Sequence, residues 1–215
     1  MKPLGNGELQ WGVATRPLPG ETECGDRHVV AGTDAGWLLA VADGLGHGPE
    51  AAMAGAIFSQ VLNKHLNETP VKLIRLCHEA LKGTRGIACT IMTIDRQQNL
   101  LNWLGVGNVE GVVHHLDPVA SPTDYVTMRG GIVGYRLPEL QPSCLRLLDG
   151  DILALATDGI AVDFVRAISA VHPPGVLADH ILNHYAKPID DALILIAHWQ
   201  DHPARRGGLN SEQSY

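Results

Sequence analysis

The chain has 215 residues, 45% of them hydrophobic and 18% charged, with a formal net charge of −7 at pH 7. That length and apolar content suit one domain with a real core, and the acidic balance argues against broad nucleic-acid binding, which needs a basic surface. No run of about 18 apolar residues occurs and the first residues hold no apolar stretch, so neither a membrane span nor a signal peptide is expected.

In chain order, residues 28–32 and 37–42 read as a hairpin across Asp34-Ala35-Gly36, the second strand a continuous apolar run that stops at Asp43. Gly46-His47-Gly48 interrupts regularity, and Pro49 fits the first position of a helix running to about residue 65. That helix is rich in Ala and Met, and Met53 and Phe58 are expected in the core. A second helix is predicted over 71–82, ended by Gly83. Strands follow at 87–94, 100–106, 109–115, 125–128, 144–148 and 151–156. Helices are predicted at 162–170 and 175–184, separated by Pro173-Pro174, and a last strand at 193–199. Hairpins with intervening helices make an α+β pattern rather than strict βαβ alternation. Residues 1–200 are read as one domain, and the polar tail 201–215, with Arg205-Arg206-Gly207-Gly208, as disordered.

Cys24, Cys77, Cys89 and Cys144 include no C-x-x-C pair, so reduced, inert thiols in a cytoplasmic protein are expected. The adjacent His114 and His115 point to opposite faces of a strand, cannot easily share one ion, and read as surface histidines. Chemistry concentrates instead in three acidic segments: Val41-Ala42-Asp43-Gly44-Leu45-Gly46-His47-Gly48, Ala156-Thr157-Asp158-Gly159 and Ile189-Asp190-Asp191-Ala192. Each sets a carboxylate at the end of an apolar run. An Asp-Gly pair alone signals a turn, but repetition at several strand ends indicates an oxygen-lined site for divalent cations, because clustered carboxylates without cations repel. Gly44 lacks a side chain, so its carbonyl can approach an ion closely.

The ordered series of motifs resembles the metal-dependent PPM (type 2C) serine/threonine phosphatases, in their SpoIIE-like branch. Cys24-Gly25-Asp26 is similar to the Ser-Gly-Asp segment of that family, and Asp43-Gly44-Leu45-Gly46-His47-Gly48 to its Asp-Gly-x-Gly-His-Gly signature. Gly105-Val106-Gly107-Asn108, Gly130-Gly131-Ile132-Val133-Gly134, Gly150-Asp151 through Thr157-Asp158-Gly159, and Asp190-Asp191 resemble its remaining motifs, so the likeness spans residues 24–196. It implies an αββα sandwich of two antiparallel sheets flanked by helix pairs, with a centre of two Mn²⁺ or Mg²⁺ ions at one edge. By the resemblance Asp43 bridges the ions, the Gly44 carbonyl binds one, Asp158 and Asp190 hold the other, and Asp26 supports the second directly or through water. Asp191 is the less favoured ligand of its pair. Asp43, Asp158 and Asp190 would thus carry catalysis, the hydrolysis of phosphoserine or phosphothreonine by activated water without a covalent phosphoenzyme.

Two positions depart from the family pattern: Leu193 replaces a threonine, and Ala161-Val162 stand where an acidic residue is common. No sensor or receiver segment is recognisable, and a free-standing module of this size resembles the family's stress-module members. That resemblance implies phosphorylated STAS-domain proteins of the stressosome, of the RsbS and RsbR types, as partners. Two other readings are weighed. A dinucleotide-binding oxidoreductase fails the G-x-G-x-x-G pattern because Pro49 occupies the third glycine's place. A catalytically degenerate docking module would have to explain why every main acidic position is kept. His47 lies close enough to orient water or phosphate or simply to pack its turn, and Arg27 and Arg129 are candidates for phosphate contact or plain surface residues.

Overall fold

The structure is a computed structural model that describes residues 7–116 and 123–201. Its elements are β1 (Gly7–Arg16), β2 (Arg27–Gly32), β3 (Gly36–Gly44), α1 (Pro49–Lys64), α2 (Pro70–Ala80), β4 (Ile87–Asp95), β5 (Leu100–Val106), β6 (Glu110–His114), β7 (Thr123–Tyr125), β8 (Met128–Arg129), β9 (Ser143–Arg146), β10 (Ile152–Ala156), a 3₁₀ turn (Val162–Ala167), α3 (Pro174–Tyr185) and β11 (Ala192–Asp201). One sheet has the order β1-β11-β10-β6-β7 and the other β2-β3-β4-β5-β8, with β9 also paired to β5. All pairings are antiparallel except the short one of β5 with β8.

Period-two alternation in the central strands sorts side chains between layers. Leu153 and Leu155 of β10 and Leu193, Leu195 and Trp199 of β11 face Val41, Met92 and Trp103 of the opposite sheet. The alternate residues Ile152, Ala154, Ile194 and Ile196 face outward onto Leu177 and Ile181 of α3 and Phe164 of the 3₁₀ turn. Across the molecule, Phe58 and Leu62 of α1 and Leu73 and Ile74 of α2 cover the outer face of β3 and β4 through Leu38 and Ile91. These three apolar seams define four layers, α-β-β-α. No helix among the described residues is long and apolar enough to cross a membrane.

The structure departs from sequence expectation at identifiable places. The stretch predicted as one strand at 125–128 splits into β7 and β8 on different sheets, because Val126 turns into the central seam and its N–H bonds the Gly111 carbonyl at 2.8 Å. The helix predicted at 162–170 is only a six-residue 3₁₀ turn, so a helix pair covers one sheet while α3 and this turn cover the other. Val162 and Val165 are weak helix formers, and burial of Phe164 anchors the segment without extending it. Met53 is exposed rather than in the core. Asp201 belongs to β11 and not to the tail, while residues 202–215 lie outside the described residues. All four cysteines are free, with Cys77 and Cys89 buried.

His115 is not a surface residue. It is buried with Nδ1 2.9 Å from Asp151 and Nε2 3.0 Å from Asp124. Burial opposes its charging, but hydrogen bonds to Asp124 and Asp151 outweigh that and raise its pKa.

No strand is read from sequence over β1, yet it pairs with β11 along all ten residues, from Gly7 opposite Asp201 to Arg16 opposite Ala192. Its two glycines and polar alternation hide it. Gly12 is required there by close packing: a Cβ would stand 2.3 Å from the backbone of Gly175 at the start of α3. Gly12→Ala is expected to cost about 3 kcal/mol as the helix is forced off the sheet, read as a lowered urea midpoint; an unchanged midpoint would contradict this packing.

Candidate metal and phosphate site

The acidic segments meet at one end of the sandwich. Asp43 is the penultimate residue of β3, Asp158 lies two residues beyond β10, Asp190 two residues before β11, and Asp26 immediately before β2. Antiparallel pairing puts the start of β2 beside the end of β3 and the end of β10 beside the start of β11, and the face-to-face stacking of the two sheets then makes neighbours of residues more than a hundred positions apart, as Thr157 and Asp26 show.

Within this cluster the carboxylates divide into two sets. Asp43, Asp158 and Asp190 line a cavity of about 310 Å³ together with Asn108 and His47. Asp26 and Asp191 lie buried behind it. Asp26 Oδ2 accepts a hydrogen bond from Thr157 Oγ1 at 2.7 Å, while Thr157 Oγ1 accepts from the Leu193 N–H at 2.9 Å. Asp191 accepts from the backbone N–H groups of Leu18 at 2.7 Å and Gly25 at 2.6 Å, so both of its oxygens tie the β1–β2 segment to the start of β11. A Cβ on Gly25 would stand 3.2 Å from the Gly44 carbonyl oxygen and from Asp191 Oδ2, which sets that carbonyl beside the acidic cluster.

Electrostatics record the crowding. Burial, then the negative charges of Asp26, Asp158, Asp190 and Asp191, pushes the Asp43 carboxyl up to about 8. Burial raises Asp26 to about 7, with the Thr157 hydrogen bond opposing and the neighbouring aspartates adding to the rise. Asp190 is raised by burial and by Asp158 and Asp191, against the Asp191 N–H bond and His47, which lower it. Such a cluster is uncomfortable without positive charge, and its donors are hard oxygens suited to Mg²⁺ or Mn²⁺.

Several supporting residues were not among the predicted site residues. Asn108 Nδ2 donates to Asp158 Oδ2 at 2.6 Å, and Lys187 Nζ donates to the Asp158 carbonyl at 2.6 Å. Asn108 stands in a quoted motif, whereas nothing in the sequence marks Lys187 or Glu21, whose Oε1 lies 2.7 Å from His47 Nδ1. Arg27 does not face the cavity with its hydrogen bonds: Nη1 donates to the carbonyls of Cys24 at 2.5 Å and Asp26 at 2.8 Å, bracing the loop that carries Asp26. Arg129 pairs with Gln141. The side chain of Leu193 is buried in the central seam, so this departure from the family pattern lies away from the cavity, while its backbone still serves Thr157.

Comparison with known proteins agrees with this architecture. The family model for stage II sporulation protein E (SpoIIE) matches residues 33–200. The chain is 32% identical over 148 residues to the phosphoserine phosphatase RsbX of Bacillus subtilis (strain 168), covering 69% of this chain and 73% of that protein. It aligns with a chain of the structure described as "The bacterial stressosome: a modular system that has been adapted to control secondary messenger signaling" at TM-score 0.81 and 31% identity, over 88% of this chain and 99% of that one. RsbX in complex with magnesium aligns at TM-score 0.79 and 23% identity, over 89% and 96% of the two chains, a likeness of fold. The chain belongs to the SpoIIE family and is a PPM-type phosphatase domain.

Proposed function

We propose that this chain is a metal-dependent protein serine/threonine phosphatase that removes phosphate from phosphoserine or phosphothreonine on stressosome proteins. The observation that carries the reading is the convergence of Asp43, Asp158 and Asp190 on one cavity, with Asp26 behind them, from segments far apart in sequence. Kinship with RsbX and with the stressosome structure supports both the reaction and the setting.

The donor chemistry, hard oxygens crowded around one cavity with carboxyls pushed up by one another, suits divalent Mn²⁺ or Mg²⁺, and a pair of such ions would be held by Asp43, the Gly44 carbonyl, Asp158 and Asp190. Asp26 is the supporting carboxylate. Asp191 is the weakest ligand candidate, because its two oxygens already serve backbone N–H groups. When bound, the ions would lower the pKa of a water and offset charge on the phosphoryl oxygens. The chain's own contribution is positional. Asn108 and Lys187 fix Asp158 from its side chain and its carbonyl, and Thr157 links Asp26 to the β11 backbone. Asp191 fastens the loop before Asp26. No thiol is needed: burial drives Cys24 up to about 11 and Cys77 up to about 12, which makes both poor nucleophiles at neutral pH.

Phosphorylated STAS-domain proteins of the RsbS and RsbR types are the proposed substrates. Release of phosphate from such a protein with Mn²⁺, and none with chelator, is the expected result. Binding of the phosphoprotein without turnover at any Mn²⁺ concentration would favour the docking-module reading instead.

A further inference from the structure

We propose that Arg85 is a specificity-determining residue that takes the carboxylate of an acidic side chain beside the phosphoserine or phosphothreonine, a role that rests on the phosphatase reading above. Arg85 lies in the loop between α2 and β4. Its guanidinium covers Gly46, where a Cβ would stand 2.5 Å from Nη1, and Gly46 lines the cavity with Asp43, Asp158 and Asp190. Arg85 itself is not among the residues lining that cavity. It stands beside the mouth, so it meets the substrate chain flanking the phosphorylated residue rather than the phosphoryl group.

The loop presents the guanidinium on a fixed frame. Thr84 Oγ1 donates to the Leu81 carbonyl at 2.7 Å and accepts the Gly86 N–H at 3.0 Å. The Gly86 carbonyl accepts the Leu45 N–H at 3.1 Å, which ties the loop to the glycine-rich turn after β3. Ile87 and Val133 exchange both backbone hydrogen bonds, at 3.0 and 2.9 Å. Gly86 has φ +80°, and a Cβ there would stand 2.5 Å from Ile132 Cγ2, so the loop has little room to shift. A backbone already ordered lowers the cost of ordering the side chain on binding.

The partner that Arg85 holds is exchangeable. Nη2 pairs with Oε2 of Glu50 in the first turn of α1, and the two side chains are 48% and 64% exposed. An ion pair in that setting contributes little to stability, so a substrate carboxylate displaces Glu50 at small cost and meets the same planar fork. Three further cations at this end of the sandwich are committed to backbone carbonyls: Lys187 to that of Asp158, Arg27 to those of Cys24 and Asp26, and Arg16 to that of Lys187. The cavity is lined by aspartates and the chain carries a net charge of −7, so an acidic flank is disfavoured around the mouth except where Arg85 receives it. The guanidinium thereby sets which phosphorylated sequences are preferred.

The test compares the wild-type chain with Arg85→Gln, Arg85→Glu and Glu50→Gln in Mn²⁺. The substrates are phosphoserine peptides with Glu, Ala or Lys at a single position, moved through the three places on either side of the phosphoserine. At one or more places the wild type is expected to favour Glu over Ala by about fivefold in kcat/KM, through KM, and less so as salt is raised. In Arg85→Gln that ratio should fall to about one, and in Arg85→Glu the preference should invert toward Lys. Glu50→Gln should strengthen the preference for Glu, because the competitor for Arg85 is gone. A pair that merely braced the glycine-rich turn would make Arg85→Gln and Glu50→Gln lose activity alike on every peptide with the ratio unmoved, and that result would overturn the proposal. So would a uniform loss across peptides in Arg85→Gln alone, which would assign Arg85 to the phosphoryl group, or a wild type indifferent to flanking charge. Hydrolysis of p-nitrophenyl phosphate by the wild type checks the phosphatase reading separately. If that reading fails, fluorescence anisotropy with the same peptides gives the ratio of Kd for Glu and Ala in wild type and Arg85→Gln, and that ratio decides the role of Arg85.

Discussion

Asp43→Asn is expected to abolish phosphoserine hydrolysis while making the metal-free protein more stable at pH 8. The two effects share one cause. Asp43 is held against four other carboxylates at the end of a buried strand, and its carboxyl is pushed up to about 8 from 3.8. Its folded pKa therefore exceeds its unfolded one. Below pH 3.8 the group is neutral in both states and costs nothing; as pH rises toward 8 the unfolded chain ionises it freely while the folded protein resists, so stability is lost across that window. Asparagine keeps the shape and removes the ionisation. A gain of about 2 kcal/mol at pH 8, or roughly 4–8 °C in Tm, and almost none at pH 4, is expected for the metal-free variant. The same substitution removes a carboxylate that, on the reading proposed above, would hold the divalent cations. A variant that turned over phosphoserine normally, or was destabilised equally at both pH values, would contradict this account.

Divalent cations should reverse the strain that the variant relieves. Adding Mn²⁺ or Mg²⁺ to chelator-stripped wild-type protein at pH 8 is expected to raise Tm by several degrees, since a ligand at 100 times its Kd contributes about 2.7 kcal/mol. The gain should shrink at pH 5. There Asp43 and Asp26, with carboxyls near 8 and 7, hold protons that the cation must displace. Asp43→Asn should lose most of the gain. An equal rise in wild type and variant would place the ions elsewhere on the surface.

What sequence reading could reach follows from how local each signal is. β4 and β5 were legible to within a residue because continuous apolar runs end at the polar turn 96–99. The ends of β3 and β10 were legible because Asp-Gly follows each buried run, and the structure brings those ends together. β1 was not, since its identity depends on β11 nearly two hundred positions away and its side of the pattern is diluted by Gly7 and Gly12. His115 misled for a similar reason: adjacency to His114 says which face it takes, but only the fold supplies Asp124 and Asp151. The same holds for Glu21 and Lys187, whose partners lie 26 and 29 residues away. Asp191 shows the opposite limit, a motif position whose hydrogen bonds go to backbone rather than toward the cavity.

The pairing of β1 with β11 has a consequence for biogenesis. A nascent chain emerging from the ribosome would expose its first strand with no partner until some 180 further residues had been made, and Asp190 arrives only then. The acidic cluster therefore cannot assemble before residues 190–201 have been made, and fragments ending upstream of them would carry neither a paired β1 nor Asp190.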